Sequence, residues 1–310
     1  MRVLLTGATG FIGRHLAAAL VERGDSVRAA VRAAPSLGVL PEGTEIVAGI
    51  DLEGSVQWAP HMAGVDAVVH AAGIAHAGEG IPKARYFQVN RAATTVLGAA
   101  AHGRVARFVL LSSIRAQTGP SAPDVLTEDS AAEPTDAYGR SKLAAEEALA
   151  ALDLPWTALR PVVVYGPRVG GNMAALRRLA RLPVPLPFGR LHTPRSLLSI
   201  DNLVAAVLFA LDSPAPERAP LIVADPAPIA LSAIVATLRR AEGRAPALIG
   251  VPPGLLALGL RLAGRGADWE RLSGSLVVDP SRLVSLGWQP PVGSTQQGLE
   301  RWVAAEPVPG

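Results

Sequence analysis

The 310-residue chain contains no cysteine. That excludes disulfides, thiolate metal sites, iron–sulfur clusters and a cysteine nucleophile. Its six histidines, His15, His61, His70, His76, His102 and His192, stand far apart, and none sits in an HExxH pair, so no metal site is expected. Aromatic residues make up only 4%. No Lys/Arg run is interleaved with aromatics, so nucleic acid is not an expected partner. The pI of about 9.8 goes with a net charge of only +3 and reflects arginine in place of lysine. Long apolar runs are missing too. The longest, Leu248 to Ala263, is broken by Pro252, Pro253 and Arg261 and is too short to span a bilayer, so a buried or interface helix is expected there. Charge and glycine interrupt the N-terminal apolar run, which is unlike a signal peptide. A cytoplasmic protein without a membrane span is the expectation. With 49% apolar and 18% charged residues, the chain has the balance of a globular enzyme with room for about two domains.

The first thirteen residues carry the strongest local pattern. The apolar run RVLLT is followed by GATGFIG, with Gly7, Gly10 and Gly13, and then by the helical pattern RHLAAALVERG. This predicts strand, tight turn, helix. Glycine admits positive φ and close backbone approach. The free amides at the start of the helix, with the helix dipole behind them, suit an anion, and the natural one is a dinucleotide's pyrophosphate.

Strands are expected at Val3–Leu5, Ser26–Arg32, Thr44–Gly49, Val65–Gly73, Arg107–Ser113 and throughout WTALRPVVVYG. They alternate with helices at about Phe11–Arg23, Ala84–His102 and Ala137–Leu152. This rhythm predicts an α/β fold, a doubly wound parallel sheet of the Rossmann type over residues 1–165. Such sheets bind ligands at the carboxyl ends of their strands. After Gly166 the pattern loosens. A strand at Ser196–Ile200, a helix N-capped by Asp201, a strand at Leu221–Ala224 and helices at Leu231–Ala241, Gly254–Ala263 and Ser294–Ala304 read as a smaller α+β substrate lobe over 166–310.

Tyr138 and Lys142 lie in YGRSK, and a spacing of four puts them on one helix face. A phenol near pKa 10 is a poor base, but a neighbouring ammonium favours the phenolate. The pair could move a proton at a substrate oxygen while hydride moves at the adjacent carbon. Ser113, at the end of its strand, could hold the same oxygen. The three form a site for alcohol–carbonyl interconversion.

TGATGFIG, HAAG, LLSS and YGRSKLAAE, in this order, resemble the extended short-chain dehydrogenase/reductases, the NAD-dependent epimerase/dehydratase group. The resemblance implies that Ser113, Tyr138 and Lys142 are catalytic, with Ser113 favoured over Ser112 by its distance from Tyr138. It implies that Thr9 to Ile12, with Gly10 and Phe11 between them, cradle the pyrophosphate, and that Asp51 and Leu52 flank the adenine. Ala71, Gly73, Asn90 and Pro161 match positions on the nicotinamide side. GNMAALRRLARLPVPLPFG followed by PRSLLSIDNL resembles the nucleotide-sugar segments of 4-epimerases and 4-keto reductases, which gives Asn172 and Arg195 the sugar's diphosphate. A guanidinium fork suits that group. A homodimer through the helices near Ala84–His102 and Ala137–Leu152 is expected on the same ground.

Two departures matter. Where many NAD-using members carry an acid at the end of the second strand, this chain has Ala30-Val31-Arg32, and VRAAVR resembles NADPH-using members. An arginine can pair with a 2′-phosphate, so NADP(H) is favoured, with NAD(H) possible. Val163 lies near a place where epimerases often carry asparagine. The leading expectation is a nucleotide-sugar oxidoreductase working at C4, by reduction or epimerisation. The alternatives are a reductase of non-nucleotide ketones and a non-catalytic cofactor-binding module. A dehydratase is disfavoured because Ile114-Arg115 stands where an Asp-Glu pair is needed.

Overall fold

Seven parallel strands make the central sheet of the computed structural model, which describes residues 1–74, 80–213, 218–262, 264, 266, 269 and 273–306. Strands β1 (Arg2–Thr6), β2 (Ser26–Ala30), β3 (Glu45–Val47), β4 (Ala67–His70), β5 (Arg107–Leu111) and β6 (Trp156–Pro161) follow in chain order. The chain then forms β7 (Val163–Tyr165), β8 (Pro194–Arg195) and β9 (Leu197–Ser199) before β10 (Ala219–Val223) returns to the sheet. The order across the sheet is β3-β2-β1-β4-β5-β6-β10, and each pairing is parallel. Strand order reverses between β1 and β4, which opens a crevice at their carboxyl ends.

Both faces of the sheet are buried, as parallel sheets require. The two-residue alternation sorts the side chains. Leu5, Val69, Val109 and Leu111 face one core with Leu16 and Leu20 of α1 (Phe11–Glu22). Leu4, Val68, Phe108 and Leu110 face the other with Leu97 and Leu149. Those two leucines belong to α3 (Ala93–Ala101) and α4 (Ala137–Ala150). The helix read as Ala84–His102 is not uniform. It begins as α2 (Lys83–Tyr86), widens into a π-helical turn at Phe87–Ala92, and continues as α3.

Two local readings are corrected. WTALRPVVVYG does not make one strand. Pro161 closes β6, and β7 pairs with β9 in a separate two-stranded sheet. Asp201 is not the N-cap of α6 (Ile200–Asp212). Ser199 is, its hydroxyl accepting from the amide of Asn202, and Asp201 lies in the first turn beside the positive end of the helix. His76 and Ala263, the end of the expected apolar helix, lie outside the described residues.

A third core joins α5 (Gly171–Ala180), α7 (Leu231–Ala241) and the last helix, Thr295–Ala305, through Leu176, Leu238, Leu299 and Trp302. It is tied to the sheet at Asp225, just past β10. The buried carboxylate accepts from the Ser199 amide at 2.9 Å, Asn202 Nδ2 at 2.8 Å, the Tyr165 hydroxyl at 2.8 Å and Thr295 Oγ1 at 3.0 Å. Burial pushes the carboxyl of Asp225 up, and these four donors oppose that rise.

The glycine turn shows why the first motif needs its residues. Gly7 has φ +72°, and a Cβ there would lie 2.7 Å from the Ala72 nitrogen past β4. A Cβ on Gly13 would lie 2.0 Å from the Gly7 carbonyl oxygen. Gly13→Ala should therefore lower stability by about 1–3 kcal/mol, as overpacking does. Gly54→Ala, whose nearest contact would be 3.6 Å away, should leave the melting temperature unchanged. Thermal unfolding of the two variants checks this.

Candidate active site

Three elements meet at the carboxyl end of β5. Ser113 follows the strand and N-caps the short 3-10 helix Ile114–Ala116, its oxygen accepting from the Arg115 amide at 3.1 Å. The helix α4 crosses above it and starts at Asp136, whose carboxylate caps the Gly139 amide at 2.7 Å. The approach is close enough that a Cβ on Gly139 would lie 2.1 Å from the Arg115 carbonyl oxygen. The glycine between Tyr138 and Lys142 is what lets α4 approach the turn after Ser113 so closely.

The Ser113 and Tyr138 hydroxyls are hydrogen-bonded to each other. Tyr138 is half-buried, and its ring lies 6.4 Å from that of Tyr86. Burial pushes the phenol above its usual 10, while the bond to Ser113 and the charge of Arg115 pull the other way. Lys142, one of two lysines in the chain, is buried, and its Nζ donates to the Leu111 carbonyl at 2.8 Å. Desolvation brings its pKa down from 10.5 to about 8, against the pull of Glu146. Arg115 is itself paired with Asp136, whose charge acts on the phenol in the opposite direction. Lys142 reaches the end of β5, beside Gly73, where a Cβ would lie 3.3 Å from Nζ.

Ser112 and Ser113 separate cleanly. Ser112 points away from Tyr138 and donates to Glu146. Glu146 and Arg160 form a buried ion pair with Nη2–Oε2 at 2.6 Å, and Arg160 also reaches Gln117 at 3.2 Å. This network was not part of the sequence reading, although Glu146 stands one turn after Lys142. A second buried chain was also missed. His70 is held between Thr6 Oγ1 at 2.7 Å and Thr94 Oγ1 at 3.0 Å. Burial, with the charge of Lys142, lowers its pKa from 6.5 to about 3 and keeps it neutral. Neither partner is near it in sequence, so no spacing rule points to them.

Asn90, in the π-helical turn, works on the loop after β4. Its Oδ1 accepts from the Ile74 amide at 2.8 Å, and its Nδ2 donates to the Ile74 carbonyl and to Ser141 Oγ. Gly73 is pressed against it, since a Cβ there would lie 2.8 Å from Asn90 Oδ1. Insertions of this kind re-aim a side chain within a helix. Ala71 and Pro161 lie at the ends of β4 and β6.

The residues fit a dinucleotide. Gly7, Gly13 and Gly73 leave no room for side chains, and Gly10 N-caps α1 without a side-chain cap, so Thr9, Phe11 and Ile12 present backbone amides at the positive end of the helix. Asp51 is exposed and Leu52 packs partly into the core, both just past β3. The two arginines of VRAAVR differ, Arg28 within β2 and Arg32 past its end. Arg28 is buried, ion-paired with Glu45 at 2.8 Å and donating to the carbonyls of His61 and Ala63. Arg32 is exposed, and its charge acts on Glu53.

The second-lobe candidates lie on different elements. Asn172 is exposed in the first turn of α5. Arg195, on β8, is half-buried and donates to the Gly274 carbonyl at 2.7 Å and to the Pro120 carbonyl at 3.3 Å, in the loop that follows Ser113. Burial lowers its pKa.

Residues 3–223 match the NAD dependent epimerase/dehydratase family. The chain belongs to that family. It is 35% identical to a UDP-glucose 4-epimerase of Vibrio cholerae over 98% of this chain and 94% of that one. It is 32% identical to a 3-diazoavenalumate denitrifying reductase of a Streptomyces species, over 97% and 100% of the two chains. A UDP-glucose 4-epimerase of Thermus thermophilus, solved in complex with NAD, superposes with a TM-score of 0.76 at 26% identity, covering 98% of each chain.

The buried lysine has a consequence for stability. Between about pH 8 and 10.5 the unfolded chain holds a proton at Lys142 that the folded chain has released. Stability should therefore rise with pH across that window, and the penalty should be complete below it. Denaturant unfolding of the wild type and Lys142→Met checks this. The difference between them should shrink or change in favour of the lysine as the pH rises from about 8 towards 10.

Proposed function

We propose that the protein is a 4-epimerase of a nucleotide-activated sugar, and that it takes UDP-glucose, as the name of its Vibrio cholerae relative suggests. The observation that carries this reading is the meeting of Ser113, Tyr138 and Lys142 beside Gly73 at the strand ends, in a chain whose similarity to a 4-epimerase runs nearly end to end. The dinucleotide, when bound, supplies the hydride acceptor and donor. Thr9 to Ile12 hold its pyrophosphate with Gly7, Gly10 and Gly13. Asp51 and Leu52 flank the adenine, and Ala71, Gly73 and Pro161 line the nicotinamide side. Asn90 acts there by fixing the Ile74 loop.

Tyr138 takes the proton from the sugar's 4-hydroxyl and returns it, and Ser113 holds the same oxygen through the reaction. Lys142 holds the nicotinamide-ribose side and adds positive charge next to the phenol's proton-transfer path, which favours the phenolate. Arg195 and Asn172 hold the substrate's diphosphate. The bond from Arg195 to Pro120 ties that contact to the loop leaving Ser113. Residues 166–310 form the substrate lobe, except where β10 and α6 return to the sheet. The faces of α3 and α4 serve a homodimer.

A second reading, 4-keto reduction with NADP(H), is favoured by one feature, the exposed Arg32 where an acid would bind a ribose 2′-hydroxyl. Arg32→Ala should weaken NADPH far more than NADH in a binding titration. Equal effects on the two would leave NAD(H) as the cofactor.

Tyr138→Phe should lower turnover of UDP-glucose by about 10²–10⁴-fold while dinucleotide affinity holds. Full turnover by that variant would contradict the assignment. Arg195→Ala should abolish the thermal shift produced by UDP alone, because a ligand that binds only the native state raises its melting temperature.

A further inference from the structure

Half of the large apolar side chains that stand exposed among the described residues fall between residues 179 and 262. They come from two stretches that the backbone holds side by side. Residues 182–189 run along residues 245–250, with the Leu186 amide bonded to the Ala247 carbonyl at 3.0 Å and the Ile249 amide to the Leu186 carbonyl at 2.8 Å. Arg239 fastens the same pair from behind, donating to the carbonyls of Leu182, Val184 and Ala245. Leu182 and Val184 stand out from one stretch and Ile249 from the other, each about half exposed. The second stretch leads into α8 (Pro253–Leu262). There Leu256 turns inward onto the third core, while Leu255, Leu258 and Leu262 are 61%, 53% and 81% exposed. Steps of three and four residues put these three leucines on one side of the helix.

The helices and loops that carry this face are rich in arginine. Residues 171–190 and 231–262 together carry eight arginines and a single carboxylate, Glu242. That carboxylate is already buried between Arg177 at 2.7 Å and Arg181 at 3.0 Å. Arg178, Arg244 and Arg261 remain exposed beside the apolar side chains. None of the exposed large apolar residues among those described is aromatic, whereas the centres of protein interfaces favour Trp and Tyr. Aliphatic side chains rimmed by cations suit the boundary between acyl chains and anionic headgroups.

We propose that this face docks the protein onto an anionic lipid surface. The helix lies on the bilayer rather than across it, since no helix of the described residues is long and apolar enough to cross. Leu255, Leu258 and Leu262 enter the headgroup boundary, and the arginines meet the lipid phosphates. Asn172 lies in the first turn of α5, at the end away from Arg178 and Leu179.

Sedimentation with vesicles tests the proposal. The wild type should pellet with phosphatidylcholine vesicles that contain phosphatidylglycerol, stay in solution with phosphatidylcholine alone, and be released by salt. Leu255→Glu with Leu258→Glu should weaken the binding by about tenfold or more at an unchanged melting temperature. If that pair unfolds, Arg178→Ala with Arg244→Ala reads the electrostatic half, with a similar loss expected. A wild type that ignores anionic vesicles overturns the proposal. So does binding that survives both double variants. A concentration-dependent dimer that the leucine variants abolish, without vesicle binding, assigns the face to a second copy and also overturns it.

Discussion

The seating of α4 on the end of β5 is the contact from which the rest of the site follows. It is made at three levels. The backbone of Gly139 lies against the carbonyl of Arg115 at a distance only glycine permits. One turn later Lys142 reaches the carbonyl of Leu111. One turn after that Glu146 takes Ser112 and Arg160 into a buried network. A helix held at three successive turns cannot slide or rotate, and Tyr138 is thereby fixed against Ser113. Catalytic constellations depend on that kind of support, because small displacements cost large factors in rate.

The same seating is costly for stability. Lys142 keeps a buried ammonium whose counter-charge, Glu146, is already committed to Arg160. His70 is held neutral beside it by burial and by that ammonium. Charges and polar groups placed so deeply are weak contributors to folding. They keep one arrangement at the strand ends while the two large apolar cores on either side of the sheet provide the driving force. A third core under α7 and the last helix carries the remainder, joined at Asp225.

The sequence made part of this plain and left part of it hidden, for physical reasons. The glycine turn is legible because its conformational demands are local: a positive φ at Gly7 and a backbone contact at Gly13 leave glycine as the one residue that fits. Tyr138 and Lys142 are legible because helix geometry converts a spacing of four into a shared face. The π-helical turn at Phe87–Ala92 has no comparable mark, since it is set by the engagement of Asn90 with Ile74 and Ser141 across the fold. The split of WTALRPVVVYG and the return of β10 depend on which strand is available as a neighbour, and apolar runs do not encode that. Arg28 lies within β2 opposite Glu45 of β3 and pairs with it, whereas Arg32 lies past the end of the strand and stays exposed, a difference that the motif VRAAVR does not mark. Long-range partners such as Thr6 and His70, 64 residues apart, come together only through the parallel pairing of β1 with β4.

The most direct test of the account follows C4 of the substrate. UDP-glucose carrying deuterium at C4 would be incubated with the protein and a catalytic amount of NAD or NADP, and the products followed by proton NMR. The account predicts UDP-galactose with the label kept at C4 and no net build-up of reduced dinucleotide. Unchanged configuration at C4, or label lost to the solvent, would contradict it.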